Sequence, residues 1–341
     1  MKERKRYIDI LKGVGIILVV FGHCNIDGNV KIWIYSFHMP LFFILSGIVY
    51  KNKYSNYRDI LVNNAKSLLY PYFSLGIIAI VFNTLCGIIE NRELDYIMLL
   101  KRIVALLYGN CIWENNYDYI NTLWFLIALF TTKTVVSIFE LTHQNIRDNL
   151  VFALFVGAGG SLWCSLYKCG IRLPWCLDIS LLTIPFFVCG LILKNYFIKI
   201  KHKTIVGVLL LILGTIVAFV NEEYIGTRTD IYGMNIGNPF LFFGSALAIS
   251  VAFLQLSIVC ESLCKLSLLN YLGKQSLLIM AVHLYILKVL NYGSRKLNIQ
   301  LDNPYILGIL LLVGSSAVSY IFSNYFNWVY HWPSRQKTEY E

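Results

Sequence analysis

Long apolar runs separated by short polar connections dominate this chain. A helix that crosses the hydrocarbon core of a bilayer needs about 20 predominantly apolar residues. We predict about ten such spans, which lie at 7–26, 32–50, 67–89, 120–140, 150–168, 177–194, 204–220, 238–259, 275–290 and 305–327. The predicted fold class is therefore an all-α, polytopic membrane bundle of about ten transmembrane helices. Because no connection is long enough for a second domain, residues 1–341 are expected to form a single integral membrane domain.

The composition predicts a multi-pass protein of the cell membrane, with the lipid bilayer as a partner of its apolar surface. Hydrophobic residues make up 57% of the chain, charged residues only 14%, and the mean hydropathy is +0.62. The net charge is +10, but no basic stretch is interleaved with aromatic residues, so nucleic-acid binding is not expected. No cysteine pair has the histidine or cysteine partners that complete a zinc site, so no metal is expected.

The distribution of charge predicts the orientation of the bundle. With ten spans both termini lie on one side of the membrane. If that side is the cytoplasm, the cytoplasmic segments hold about twice as many Lys and Arg residues as the outer ones, as expected for cytoplasmic loops. The segment 94–108 is different, because it is apolar on one side and carries Lys101 and Arg102 on the other. That pattern predicts a helix lying in the membrane interface.

Two ionisable residues interrupt the first span. Lys12 and His23 are eleven residues apart, which on a helix is three turns plus about 20°, with a rise of about 16 Å. They therefore share one helix face. Ionisable groups inside a span are costly and usually functional. Two structural alternatives stay open: Lys12 extending to the helix end, and His23 satisfied by a backbone carbonyl.

A second histidine follows in the next span. If that helix begins near Ile32, His38 lies about 9 Å deep, a depth similar to that of His23. A tight hairpin through 26–31 would bring both rings to one level, which predicts a shared site. Pro40 would loosen the helix there, and Gly47, after Ser46, permits close helix packing.

Several strings in their order along the chain resemble one family of membrane enzymes. They are YIDILKG, VVFGHC and FHMPLFFILSG in the first two spans, LLYPYF at 68–73, LWFLIALF at 123–130, IPFFVCGLILK at 184–194 and YLGKQSLLIMAVH at 271–283. Together they resemble the acyltransferase-3 family of integral membrane proteins. The nearest branch is that of the fucose 4-O-acetylase-like polysaccharide acetyltransferases.

The resemblance implies transfer of an acyl group from a cytoplasmic acyl-CoA, acetyl-CoA in the first place, to a hydroxyl of an extracytoplasmic glycan. The acceptor would be a surface polysaccharide, a teichoic acid or a lipid-linked sugar. The first-span motif of the family is commonly Arg-x10-His, so His23 is expected to be catalytic and Lys12 to replace the arginine. Lysine lacks the bidentate fork of arginine.

The same resemblance suggests further roles. Lys12 with Arg58 and Lys66 would hold the CoA phosphates, although Ser67 stands near the expected position of a second basic residue. His23 would be the general base or a transient acyl carrier. His38, or a backbone amide near Pro40, would donate to the oxyanion.

The outer loop 90–119 is a candidate acceptor site. Aromatic rings stack on the apolar faces of sugars and carboxylates accept hydroxyl protons, although an aromatic interface belt has a similar composition. Segment 229–239 is expected to contribute to the same vestibule. The candidate acceptor-binding residues are Trp113, Glu114, Asp118, Trp124 and His283.

A transporter or flippase is the competing hypothesis. Asp9, Lys12 and His23 could line a proton or substrate pathway. The chain lacks the interrupted helices in corresponding halves that many transporters show. A sensor module is a third, weaker interpretation, and a homo-oligomer is compatible with all three.

Overall fold

A computed structural model describes residues 6–51, 53–110, 121–166, 172–194, 196, 202–263, 266–298 and 300–332. The structure is 83% helical and has no β-strand in its described part. The all-α prediction is therefore confirmed. The helices are α1 (Arg6–Gly22), α2 (Gly28–Val49), α3 (Tyr57–Asn64), α4 (Tyr70–Asn91), α5 (Tyr96–Tyr108), α6 (Trp124–Phe139), α7 (Ile146–Leu166), α8 (Leu177–Leu193), α9 (Lys203–Ile225), α10 (Pro239–Leu263), α11 (Ser267–Lys274), α12 (Ser276–Leu297) and α13 (Pro304–Tyr325).

Eight helical segments in the described part are long and apolar enough to cross a membrane. The two other predicted spans correspond to α1, with 17 residues, and α6, with 16 residues. Both are shorter than the approximately 20 residues of a typical span. The chain is thus a polytopic helical bundle, as its hydrophobic pattern predicts.

Helices α2 and α8 form the centre of the bundle. In the most apolar 18-residue stretch of each of these two helices, 67% of the residues are buried. The same share is 22% in α7, α9 and α13. Helix α1 packs against α2, α10, α11, α12 and α13. The outer helices expose large aliphatic side chains, as lipid-facing surfaces do. The first two helices therefore belong to the protein interior; His23 directly follows α1, and His38 lies in α2.

Glycines allow α2 and α8 to touch backbone to backbone. A Cβ atom added to Gly47 would lie 2.0 Å from the carbonyl oxygen of Phe187, and one added to Gly190 would lie 2.0 Å from that of Ile44. Such close approach is characteristic of helix packing within membranes. It locks the register of α2, and with it the height of His38.

A second glycine contact fixes α11 against α1. A Cβ on Gly273 would lie 1.7 Å from the carbonyl oxygen of Asp9, and a Cβ on Gly13 would lie 2.1 Å from that of Leu269. Since α12 begins directly after α11, this contact sets the level at which α12 rises beside α1. As a result, His283 lies at the same level of the bundle as His23.

The segment before α4 is not a simple loop. Helix α3 begins after Asn56, whose Oδ1 accepts from the Asp59 N–H at 2.8 Å. It continues through a π-helical turn, Ala65–Leu69, into α4. Pro71 has no N–H for the helical ladder, and π turns inside α-helices are often found at functional sites.

Helix α5 coincides with the predicted interface segment, but its polar side is used differently. Arg102 is buried and donates to the Thr84 hydroxyl at 3.0 Å. The exposed side of α5 is apolar. A paired arginine thus attaches α5 to α4, and the aliphatic face turns outward.

Candidate functional site

Three histidines share one hydrogen-bonding pattern: the Nδ1 atom of each ring lies close to a backbone carbonyl oxygen of the preceding helical turn. The Nδ1 atom of His23 lies 2.8 Å from the Val19 carbonyl oxygen, and that of His38 lies 2.8 Å from the Ile34 carbonyl oxygen. The Nδ1 atom of His283 lies 2.8 Å from the Met280 carbonyl oxygen. Because a carbonyl oxygen only accepts, Nδ1 must donate in each case. In the neutral ring the lone pair is then on Nε2.

His23 and His283 are in direct contact although they are far apart in sequence. Their ring centroids are 4.9 Å apart in an edge-to-face arrangement. His283 Nε2 lies 3.4 Å from His23 Nδ1, so it can accept a share of the proton that His23 directs towards Val19. His283 is completely buried, whereas His23 is half-buried. His23 is thus the member of this pair that a substrate can reach.

His38 adjoins the pair through Tyr35. The Tyr35 ring meets the His38 ring edge to face at 4.9 Å, and its hydroxyl donates to the Gly22 carbonyl at 3.4 Å. Tyr35 thus connects the His38 ring to Gly22, the residue before His23. In its neutral form His38 gives its only N–H to Ile34, so it can donate from Nε2 to an oxyanion only as an imidazolium.

Helix α2 begins four residues earlier than the sequence suggests. Asp27 caps it by accepting from the Asn29 N–H at 2.9 Å. His38 therefore lies about 15 Å along the helix instead of about 9 Å. The His38 side chain is buried, with 4% of its surface exposed.

A polar cleft of about 470 Å³ lies near His23, although no histidine in the described part of the chain lines it. It is lined by the start of α2 and by the 226–238 connection between α9 and α10, including Lys31, Arg228 and Asp230. Lys31 Nζ donates to the carbonyl of Cys24, the residue after His23, at 3.3 Å. The guanidinium carbon of Arg228 lies 4.3 Å from the centroid of the Tyr35 ring, a cation–π contact.

The predicted phosphate-binding cations lie on three different elements. Lys12 is half-buried on α1, about 16 Å along the helix axis from His23. Arg58 is exposed on α3. Lys66 is exposed on the π-helical turn, with its Nζ 5.6 Å from the centroid of the Trp332 ring. Of these cations, Lys12 lies on the helix that ends directly before His23.

The predicted acceptor-binding residues lie in different places. His283 is completely buried against the His23 ring. Trp124 is half-buried at the start of α6 and packs against Tyr232 of the 226–238 connection, with ring centroids 5.3 Å apart. It thus borders the loop that carries Arg228. Trp113, Glu114 and Asp118 lie outside the described residues.

Sequence reasoning missed Lys31, Tyr35 and Arg228. Lys31 and Tyr35 precede His38 by seven and three residues, a helical spacing that places them near one face of α2. That spacing was the available signal. Arg228 had none, because it reaches Tyr35 only through the fold of its loop. Among the described residues, no group of three or more His, Cys, Asp or Glu side chains is placed to hold a metal ion.

Comparison with protein families decides the assignment. The family model described as an acyltransferase domain, that of acyltransferase-3, matches residues 5–325. The chain belongs to the acyltransferase-3 family. No curated protein and no solved structure matches the chain significantly. Family membership and the apolar helices together make this acyltransferase-3 protein a multi-pass membrane acyltransferase.

The His23–His283 contact predicts a positioning role for His283 in this acyltransferase. Replacing His283 with alanine removes an acceptor for the His23 Nδ1–H, and we expect kcat to fall about tenfold, the equivalent of one hydrogen bond. The KM values should change little. Glutamine retains an acceptor, so His283→Gln should recover part of the kcat. Steady-state rates of acyl transfer measure the effect, and equal losses in both variants would contradict it.

Proposed function

We propose that this protein is a membrane O-acetyltransferase. It transfers an acetyl or related acyl group from cytoplasmic acyl-CoA to a hydroxyl of an extracytoplasmic cell-surface glycan, in the manner of the polysaccharide O-acetyltransferase branch of its family. The orientation with both termini in the cytoplasm is part of the proposal. In that orientation the Lys12 end of α1 faces the donor, and the histidine cluster faces the acceptor.

One observation carries this proposal: His23 is half-buried, and its side-chain hydrogen bonds within the described residues involve Nδ1 and not Nε2. The Val19 carbonyl satisfies only Nδ1, so the structural alternative of a backbone-bonded histidine leaves the other nitrogen available. A neutral imidazole with its lone pair on Nε2 is a suitable general base. His23 lies between the half-buried Lys12 and the polar cleft. This position fits a site that the donor enters from one side of the membrane and the acceptor from the other.

The reaction can be written with balanced bonds. His23 Nε2 takes the proton of the acceptor hydroxyl while the hydroxyl oxygen attacks the thioester carbonyl carbon. The tetrahedral intermediate collapses by breaking the C–S bond, which leaves an ester on the acceptor. The departing CoA thiolate then takes the proton from the His23 imidazolium, and the enzyme returns to its starting state.

The donor is proposed to lie along α1. Acyl-CoA has a polyanionic head on a thin arm, and that arm is of the same order as the separation of Lys12 and His23, about 16 Å. Lys12 would hold a phosphate as a point charge, with Arg58 and Lys66 as further cations at the same end. The thioester would then reach the level of His23.

Incubation of the purified protein with labelled acetyl-CoA and cell-wall glycan fractions tests the proposal. We expect label to appear as an alkali-labile ester on glycan, and the glycan mass to depend on the gene. In proteoliposomes, glycan movement that needs no acyl-CoA, with no ester formed, would instead support the transporter hypothesis.

Charge removal at Lys12 should affect the donor selectively. We expect Lys12→Gln to raise the KM for acetyl-CoA about tenfold, because a charge-assisted contact with phosphate is lost. Lys12→Arg should preserve donor binding. Arg147→Gln is the matched control, since Arg147 is an exposed cation at the start of α7. Rates measured over a range of acetyl-CoA concentrations give the result, and equal KM values in Lys12→Gln and Arg147→Gln would exclude this role.

A further inference from the structure

The cleft near His23 has more positive than negative side chains among its described lining residues. Lys31 lines it from α2 and Arg228 from the 226–238 connection. Among the described lining residues, Asp230 is the one acidic side chain. The Asp230 carboxylate is engaged within its own turn, where Oδ1 accepts from the Gly233 N–H at 3.1 Å. Within the described residues, neither cation has a carboxylate at salt-bridge distance.

The two cations are held without being neutralised. Lys31 Nζ donates to the Cys24 carbonyl at 3.3 Å, and the Arg228 guanidinium lies over the Tyr35 ring. Neither partner carries a formal charge. In the part of the chain that the structure describes, no side-chain hydrogen bond is found for the Arg228 guanidinium. Its planar fork of donors is thus available to an anion.

The loop that presents Arg228 is preorganised. Asp230 and Asn235 exchange two backbone hydrogen bonds, of 2.7 and 2.9 Å. Asn221 anchors the loop by donating to the Ile236 carbonyl at 3.0 Å and accepting from the Asn238 N–H at 3.0 Å. The side chains of Ile231 and Met234 are buried beneath it. A rigid loop loses little entropy when a ligand binds.

From this arrangement we propose that the acceptor carries an anionic group, a phosphate or a carboxylate, which Lys31 and Arg228 bind beside His23. The proposal rests on the proposed function and narrows its acceptor to anionic glycans or glycan phosphates. The cleft volume of about 470 Å³ is within the usual range for small-molecule sites. The bound anion would place a neighbouring hydroxyl next to the histidine that removes its proton.

Acyl transfer to three matched acceptors tests the proposal. The acceptors are maltotetraose, which is neutral, tetragalacturonate, which carries carboxylates, and a glycerol phosphate tetramer. We expect a lower KM for at least one anionic acceptor than for maltotetraose, and the better of the two identifies the anion. High salt should reduce the preference, since the Debye length falls from about 8 Å at 0.15 M to about 3 Å at 1 M.

The variants separate this site from the donor site. Arg228→Gln and Lys31→Gln should each raise the KM for the anionic acceptor about tenfold, the loss expected for one hydrogen bond to a charged group. The KM for maltotetraose and for acetyl-CoA should stay constant, and Arg228→Lys should retain part of the effect. Arg295→Gln, at an exposed arginine in the last turn of α12, is the control.

Two outcomes would overturn the inference while the proposed function stands. One is an unchanged anionic-acceptor KM in both variants when His23→Ala still abolishes transfer. The other is a rise in the KM for acetyl-CoA alone, which would make Lys31 and Arg228 donor residues. Full transfer activity in His23→Ala would instead contradict the proposed function itself.

Discussion

Replacing His23 with alanine is expected to reduce acyl transfer by about 10² to 10⁴-fold, the range for loss of a positioned general base. The variant removes the only half-buried imidazole of the three-histidine cluster, formed by His23, His38 and His283. His23→Gln should be equally inactive, because glutamine can still donate to the Val19 carbonyl but supplies no basic nitrogen. The comparison therefore separates the base from the structural hydrogen bond.

The measurement is the initial rate of ester formation from labelled acetyl-CoA at saturating acceptor. His143→Ala is the matched control, because His143 is an exposed histidine beyond the end of α6. Equal yields of monodisperse protein in detergent would show that both variants fold. An active His23→Gln variant would contradict the role of His23 as general base. An acetyl-imidazole trapped on the wild-type protein would favour the acyl-carrier mechanism.

The hydrophobic pattern predicted the helices well because the thickness of the bilayer sets the number of apolar residues that a spanning helix needs. Each of the ten apolar segments corresponds to a helix, and helices of that length need only local hydrogen bonds. The pattern did not predict α3 or α11. Both are eight residues long and acquire their stability from packing against neighbours, which a local pattern does not contain.

The site was predictable in part for the same reason. His23 and His38 are recognisable because an ionisable residue inside an apolar run is unusual on local evidence alone. The contact between His23 and His283 depends on the level at which α12 meets α1, and backbone contact at Gly13 and Gly273 sets that level. The position of Arg228 over Tyr35 depends on a loop held by long-range hydrogen bonds. Neither arrangement has a local signature.

The glycine in the IPFFVCGLILK string illustrates how a motif can have a structural purpose. Gly190 closes the α2–α8 contact, and Gly47 closes it from the other helix. Both helices lie in the most buried part of the bundle, and α2 carries His38. Gly190 in this string therefore allows the close packing of α2, the helix that carries His38.

Gly190→Ala is expected to destabilise the protein, although alanine is the better helix former. The new Cβ would lie 2.0 Å from the Ile44 carbonyl oxygen, and a backbone atom cannot move aside without separating the helices. Overpacking of this kind costs about 1–3 kcal/mol. Gly244→Ala is the matched control, because Gly244 lies in α10 and no neighbouring atom comes within 4 Å of the position that an alanine methyl would take. There alanine should stabilise by roughly 1 kcal/mol. Unfolding midpoints in detergent should therefore shift in opposite directions, and a shift of the same sign in both would contradict the backbone contact between α2 and α8.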